Sequence, residues 1–337
     1  MLKKILGVLL GLVLGGLMGW FVGIHGDPWG LLIVLLAFYG QVLFHEGGHL
    51  IAGLLTGYRF VSLRVASLML IRQNGKYRLA RYSLAGTGGQ CLMAPPPLVN
   101  GDYPYTLYHL GGVLMNLLCA LIAALCLWRF GFSAWWLGTL VGGLYLGLTN
   151  GIPMQATVDN DGRNALRGRR DEAVRAGFYR QLQMNAALAD GKRLRDLPDA
   201  WFDCAPGQER ERGYLRLAWM IDRGEYEAAR AYAAELLSCD LLPLHQMITE
   251  SELRCLTLLA GDAPAEESKT LRQYLRASRN SPSALRTEYL FARLQDHDEK
   301  KAAEIRQRFD KLTRSYPYAG DLQSDIALMD LARTRAL

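Results

Sequence analysis

Acidic residues are nearly missing from the first half of this 337-residue chain. Between Met1 and Val158 there are three, Asp27, Glu46 and Asp102, against nine Lys or Arg. From Asp159 onward there are twenty-nine of each sign, so the whole formal charge of +6 arises in the first half. Cysteine is sparse as well. Six residues without a Cys-x-x-Cys pair exclude a disulfide scaffold and point to reduced thiols. The second half has no patch of one sign, which argues against nucleic acid as a partner. With half the residues apolar, a disordered chain is excluded too.

Where charge is missing, long apolar runs stand instead. Four are expected to be transmembrane helices, at about 5–24, 29–58, 105–128 and 132–150. Twenty helical residues span a hydrocarbon core of roughly 30 Å. Only helices cross as single segments of this length. A cleaved signal peptide is the alternative for the first run. Trp135 and Trp136 open the fourth run and suit an interface. Basic residues gather at Lys3 and Lys4, between Arg59 and Arg81, and from Arg163 to Arg170. Four crossings put all three clusters on one side, and the excess of positive charge assigns that side to the cytoplasm. The expectation is an integral protein of the plasma (inner) membrane, with both termini cytoplasmic. Its domains are expected at 1–163 and 164–337.

The second apolar run contains His45-Glu46-Gly47-Gly48-His49, an H-E-x-x-H pattern. On a helix, residues four apart share a face, so both imidazoles can reach one metal ion. Zinc accepts such nitrogens and keeps a position open for water. Glu46, one residue after the first histidine, can act as general base. Three ionisable groups within five residues of a membrane helix are costly unless paired or functional. A third ligand is needed from another segment. Asn150-Gly151 and Pro153 should end the fourth helix and let the chain fold back. The acidic candidates there are Asp159 and Asp161.

These motifs together resemble the site-2 protease family of intramembrane zinc metalloproteases. The resemblance covers about residues 29–165. It rests on the H-E-x-x-H in a membrane helix and on an N-x-x-P element, Asn150 to Pro153, followed by Asp161-Gly162. Gly111-Gly112-Val113-Leu114-Met115-Asn116 is similar to the family's G-P-x-x-x-N, with Gly in place of Pro. The resemblance implies His45, His49 and Asp161 as zinc ligands and Glu46 as the catalytic base. It also brings in Asn116, Asn150, Pro153 and Gly162. Seven residues separate Pro153 from Asp161 where the family commonly has four, and Asp159 stays open as the alternative ligand. The loop from Arg59 to Tyr103 is too short for a PDZ domain.

That loop carries Asn74-Gly75 between two extended runs, a hairpin signal. Its Lys76 and Arg78 suit anionic headgroups, and strand addition to an unwound substrate is the family's use of such an element. A purely structural hairpin is the other reading. The stretch Ala85 to Gln90 reads as a flexible glycine-rich joint. His109 is a further histidine in the third run, either assisting the site or lying near the interface among Tyr103, Tyr105 and Tyr108.

From Asn164 the pattern turns to helical periodicity, with breaks near Gly224, Gly261 and His297. Spacings of this order indicate stacked helical hairpins, and Gly224 to Arg230 is similar to part of a tetratricopeptide repeat. The fold class expected is therefore an all-α membrane domain of four transmembrane helices with a small cytoplasmic β-hairpin. A tetratricopeptide-like α-helical repeat domain follows it. The function expected is a zinc metalloendopeptidase cutting a transmembrane protein or signal peptide in or near the bilayer. The helical domain would hold a protein partner. The alternative is a catalytically silent, zinc-bound membrane scaffold.

Overall fold

The computed structural model describes residues 15, 16, 19, 28–82, 88–154, 159–204, 209–264, 268–279 and 281–335. The chain is mostly helical, with a small antiparallel four-stranded sheet. Its elements are α1 (Pro28–Leu55), β1 (Arg59–Val65), β2 (Leu68–Gln73), β3 (Lys76–Arg81), β4 (Gly89–Ala94), α2 (Thr106–Phe130), α3 (Ala134–Gly151), α4 (Asp161–Arg170) and α5 (Glu172–Ala189). Then come α6 (Glu209–Arg223), α7 (Tyr226–Leu236), α8 (Pro243–Ala260), α9 (Lys269–Ala277), α10 (Pro282–Leu290), α11 (Glu299–Thr313) and α12 (Ala319–Arg335). Two compact bodies divide the chain. One holds residues up to Ala66 and from Thr87 to Gln183; the other holds Ser67–Gly86 and Met184–Leu337.

In the first body, α1, α2 and α3 pack on one another. Two helices among the described residues, not four, are long and apolar enough to cross a membrane: Trp29–Leu55 and Thr106–Phe130. The expected span at 5–24 lies outside the described residues, apart from 15, 16 and 19. The fourth expected span does form a helix, but one of eighteen residues holding Gly138, Gly142, Gly143, Gly147 and Gly151 with Thr139, Thr149 and Asn150. Those residues lower its mean hydropathy, and their absent or short side chains serve helix contact instead. A Cβ on Gly138 would lie 2.5 Å from the Val34 carbonyl, and one on Gly143 would lie 2.6 Å from the Asn116 carbonyl. Large apolar residues point the other way. Leu36, Leu43 and Leu55 of α1 and Leu121, Leu125 and Trp128 of α2 are exposed.

The same body holds the β1–β4 ladder, with a bulge between Phe60 and Ser62. A cluster of buried tyrosines packs beside it. Tyr58 stacks on Tyr108 at 4.7 Å between ring centres. Their hydroxyls donate to the Pro104 carbonyl (3.0 Å) and the Cys91 carbonyl (2.8 Å), so the rings are buried without an orphaned donor.

The second body has an apolar core drawn from all its longer helices, with Leu217, Cys255, Leu290, Phe309 and Met329 fully buried. The sequence expectation of one small hairpin understates the strands, since β1 and β4 are present as well. The hairpin itself, β2–β3, turns through Asn74 and Gly75, both at positive φ, as a two-residue turn requires. It is fastened to residues of its own body at and beyond the end of α5 and just before α12. The Gln73 side chain donates to the Ala189 carbonyl (2.9 Å) and the Pro317 carbonyl (2.7 Å), and the Asn74 amide donates to Asp190 (3.0 Å). Tyr82 packs edge-on against Tyr316 and Tyr318.

Candidate metal centre

His45 and His49 lie one turn apart on α1, buried, His49 about 9 Å and His45 about 15 Å along the helix from its end at Leu55. Their orientation is set from α2. Asn116 donates its amide hydrogens to the Gln41 carbonyl (3.0 Å) and to Gln41 Oε1 (3.1 Å). That fixes the flip of the carboxamide and turns Asn116 Oδ1 toward His45 Nδ1, which donates to it at 2.6 Å. His49 Nδ1 donates to the Tyr108 carbonyl at 2.8 Å. With both Nδ1 atoms committed as donors, neutral imidazoles present their Nε2 lone pairs inward.

The helices can approach this closely because glycine lines the contact. A Cβ on Gly112 would fall 2.6 Å from His49 Nε2 and 2.7 Å from His45 Nε2, so the space for the two rings is the side chain Gly112 lacks. A Cβ on Gly111 would fall 2.5 Å from the Gly48 carbonyl.

Asp161 completes the cluster from α4. Its Oδ2 is 3.0 Å from His45 Nε2 and 3.4 Å from His49 Nε2, and the two Nε2 atoms are 3.3 Å apart. Burial works against charge on Asp161. Imidazoles that carry a proton on Nε2 outweigh that and hold its carboxyl well below the ordinary range. With both imidazoles neutral, three lone-pair acceptors converge instead, and such a set repels itself unless a proton or cation lies among them. These three residues could hold a metal ion. Asp159, the other candidate, is not in that group and pairs with Arg163 and Arg167, each at 2.9 Å.

Asp161 is delivered by a residue that the sequence reading passed over. Asn160 caps α4 by accepting from the Arg163 amide (3.0 Å) and also accepts from the Met154 amide (2.9 Å). It donates to the Thr149 carbonyl (2.7 Å) and the Ile152 carbonyl (2.6 Å), tying the start of α4 to the end of α3. An Asn before Asp-Gly is a helix-start signal, so it was readable in principle. Gly162 fits because a Cβ there would strike the Gly151 carbonyl. The α3 helix ends at Gly151, before the exposed Pro153. Asn150 turns its amide back to the Leu146 carbonyl of its own helix (3.0 Å). Gln41 was also missed, although a lone amide in an apolar run is itself a signal. Glu46 is buried, with its carboxylate filling the space beside Gly89 of β4. His109 is buried between Tyr105, Tyr108 and Phe178, and its Nε2 has no hydrogen-bond partner among the described residues.

Comparison with known proteins returns no matching family model, no matching curated protein and no matching solved structure.

Proposed function

We propose that this chain is an intramembrane zinc metalloprotease, similar to the site-2 proteases, that hydrolyses a peptide bond in or near a transmembrane segment of a partner protein. The observation that carries the reading is the convergence of His45 Nε2, His49 Nε2 and Asp161 Oδ2 at 3.0–3.4 Å from one another. Zinc binds nitrogen and carboxylate oxygen at about 2.0–2.2 Å, so tetrahedral ligands lie about 3.3 Å apart. The spacing of the donors therefore supports zinc as the ion they would hold. Two apolar helices support a membrane setting, with an inner-membrane location and cytoplasmic termini as part of the proposal.

Zinc bound there would supply Lewis acidity toward a carbonyl and lower the pKa of water. The chain's own residues do the rest. Asn116 and the Tyr108 carbonyl hold the imidazoles in the tautomer that binds. Glu46, next to His45, accepts a proton from water and returns it to the departing amine. The substrate is a membrane segment that must unwind locally, because helical hydrogen bonds shield its carbonyls. The helical second body, read as repeat-like, is proposed to bind a protein segment.

The test is Glu46→Gln in the purified full chain. Zinc content should stay near the wild-type level while cleavage of a membrane peptide falls by at least about 10³-fold, the scale of lost general-base chemistry. Unchanged cleavage overturns the reading. In parallel, Asp161→Ala should lose zinc and Asp159→Ala should keep it; the reverse result reassigns the third ligand.

A further inference from the structure

Arg64 is the largest fully buried side chain among the described residues, on β1 of the first body, with 1% of its surface exposed. A buried guanidinium is costly unless it is held and compensated. Arg64 donates from Nη1 to the Ala66 carbonyl (2.7 Å) and from Nη2 to the Gly89 carbonyl (3.2 Å). Ala66 sits at φ +52, a left-handed conformation that alanine rarely adopts, and its amide donates to the Gly88 carbonyl at 2.8 Å. The fork of one arginine thus ties the end of β1 to the start of β4.

The start of β4 lies against the proposed general base. A Cβ on Gly89 would fall 2.7 Å from Glu46 Cγ and nearer still to Oε1. One face of Gly89 is the wall of the Glu46 carboxylate; its carbonyl is in the hand of Arg64.

We infer that Arg64 is a positioning residue for Glu46: it clamps the Gly88–Gly89 backbone so that the strand confines the carboxylate in one orientation beside the metal ligands. The inference rests on the proposed function only for Glu46 as base. It needs no substrate contact from Arg64 and no change at the ligands.

The test uses the full chain in nanodiscs with three variants, Arg64→Met, Arg64→Lys and Gly89→Ala. Zinc content is measured first, because His45, His49 and Asp161 are untouched and should load normally. The second readout is the infrared carboxylate band of Glu46, isolated as the difference between each protein and its Glu46→Gln counterpart. Arg64→Met and Gly89→Ala should displace that band, and Arg64→Lys, a point charge without the fork, should displace it less. Cleavage should show kcat lowered about tenfold with KM unchanged, the signature of a misplaced base. A band unmoved in both Arg64 variants overturns the inference. A displaced band in zinc-loaded protein that cuts no membrane peptide, wild type included, upholds the clamp and sinks the protease reading instead.

Discussion

In the first body, Leu121, Leu125 and Trp128 of α2 face outward, while Gly111, Gly112 and Asn116 of the same helix face in. In the second, Leu217, Leu290 and Phe309 face in and charges such as Lys300 and Glu304 face out. One chain therefore uses two opposite distributions. In water, burying a large apolar side chain is the main source of stability. In lipid that gain vanishes, and contact falls to small residues, packing and internal hydrogen bonds. The first body's interior is what such a rule selects: glycine against carbonyl, Asn116 against Gln41 and His45. It is also what leaves room for a polar centre.

The sharpest way to break this comparison is to give the first body the bulk that the second requires. Gly112→Val puts methyl groups where both imidazole Nε2 atoms now sit. The proposed zinc binding should be lost altogether, read as metal content of the purified full chain. Retention of one zinc per chain would mean that the two rings do not depend on this close approach.

A milder comparison makes the same deletion on both sides. Leu217→Ala removes a fully buried side chain from the core of the second body and should cost about 2–5 kcal/mol. Leu121→Ala trims a side chain of α2 that is 57% exposed, and in a bilayer it should cost less than about 1 kcal/mol, because lipid replaces the lost contact. Hydrogen exchange of α6 and α2 in the full chain in nanodiscs measures both. Equal costs would mean that the outward face of α2 packs against protein.

How much of this was readable follows from where the constraints lie. The H-E-x-x-H, the Asp161-Gly162 pair, Asn116 and the Asn74-Gly75 turn are local patterns, and each was legible. The glycine-rich stretch Ala85 to Gln90 read as a joint; residues 85–87 lie outside the described residues, and at Gly89 the contact is with Glu46, 43 residues away in sequence. β4 was hidden likewise, since its partner β1 lies about 30 residues upstream. The fourth apolar run read as a span because composition alone does not reveal that its glycines are contact points. Arg64 gave no signal, being one of six basic residues in a loop that looked solvated.

The two bodies also differ in how they tolerate buried charge. The first gathers acceptors that a cation can satisfy. The second buries Arg286 between Glu252, at 2.6 and 2.8 Å, and Asp325, at 3.1 Å. Asp321 lies one turn before Asp325 on α12 and near Asp222, which Arg193 already engages. Burial, then the Asp325 charge and that of Asp222, push Asp321 up from 3.8 to about 7. Burial pushes Asp325 up to about 6, with Arg286 opposing and Glu252 adding. Folded carboxyls with raised pKa hold protons that the unfolded chain has released. Between about pH 4 and 7 the folded state thus binds more protons, and stability falls as pH rises through that window. The protection of α12 against hydrogen exchange, corrected for intrinsic rates, should drop at least about tenfold from pH 5 to 8, the equivalent of one pK unit. Asp321→Asn should flatten the fall by removing the more strongly shifted group. A profile in the variant as steep as in the wild type would shift the burden of buried charge from Asp321 to the Arg286 triad alone.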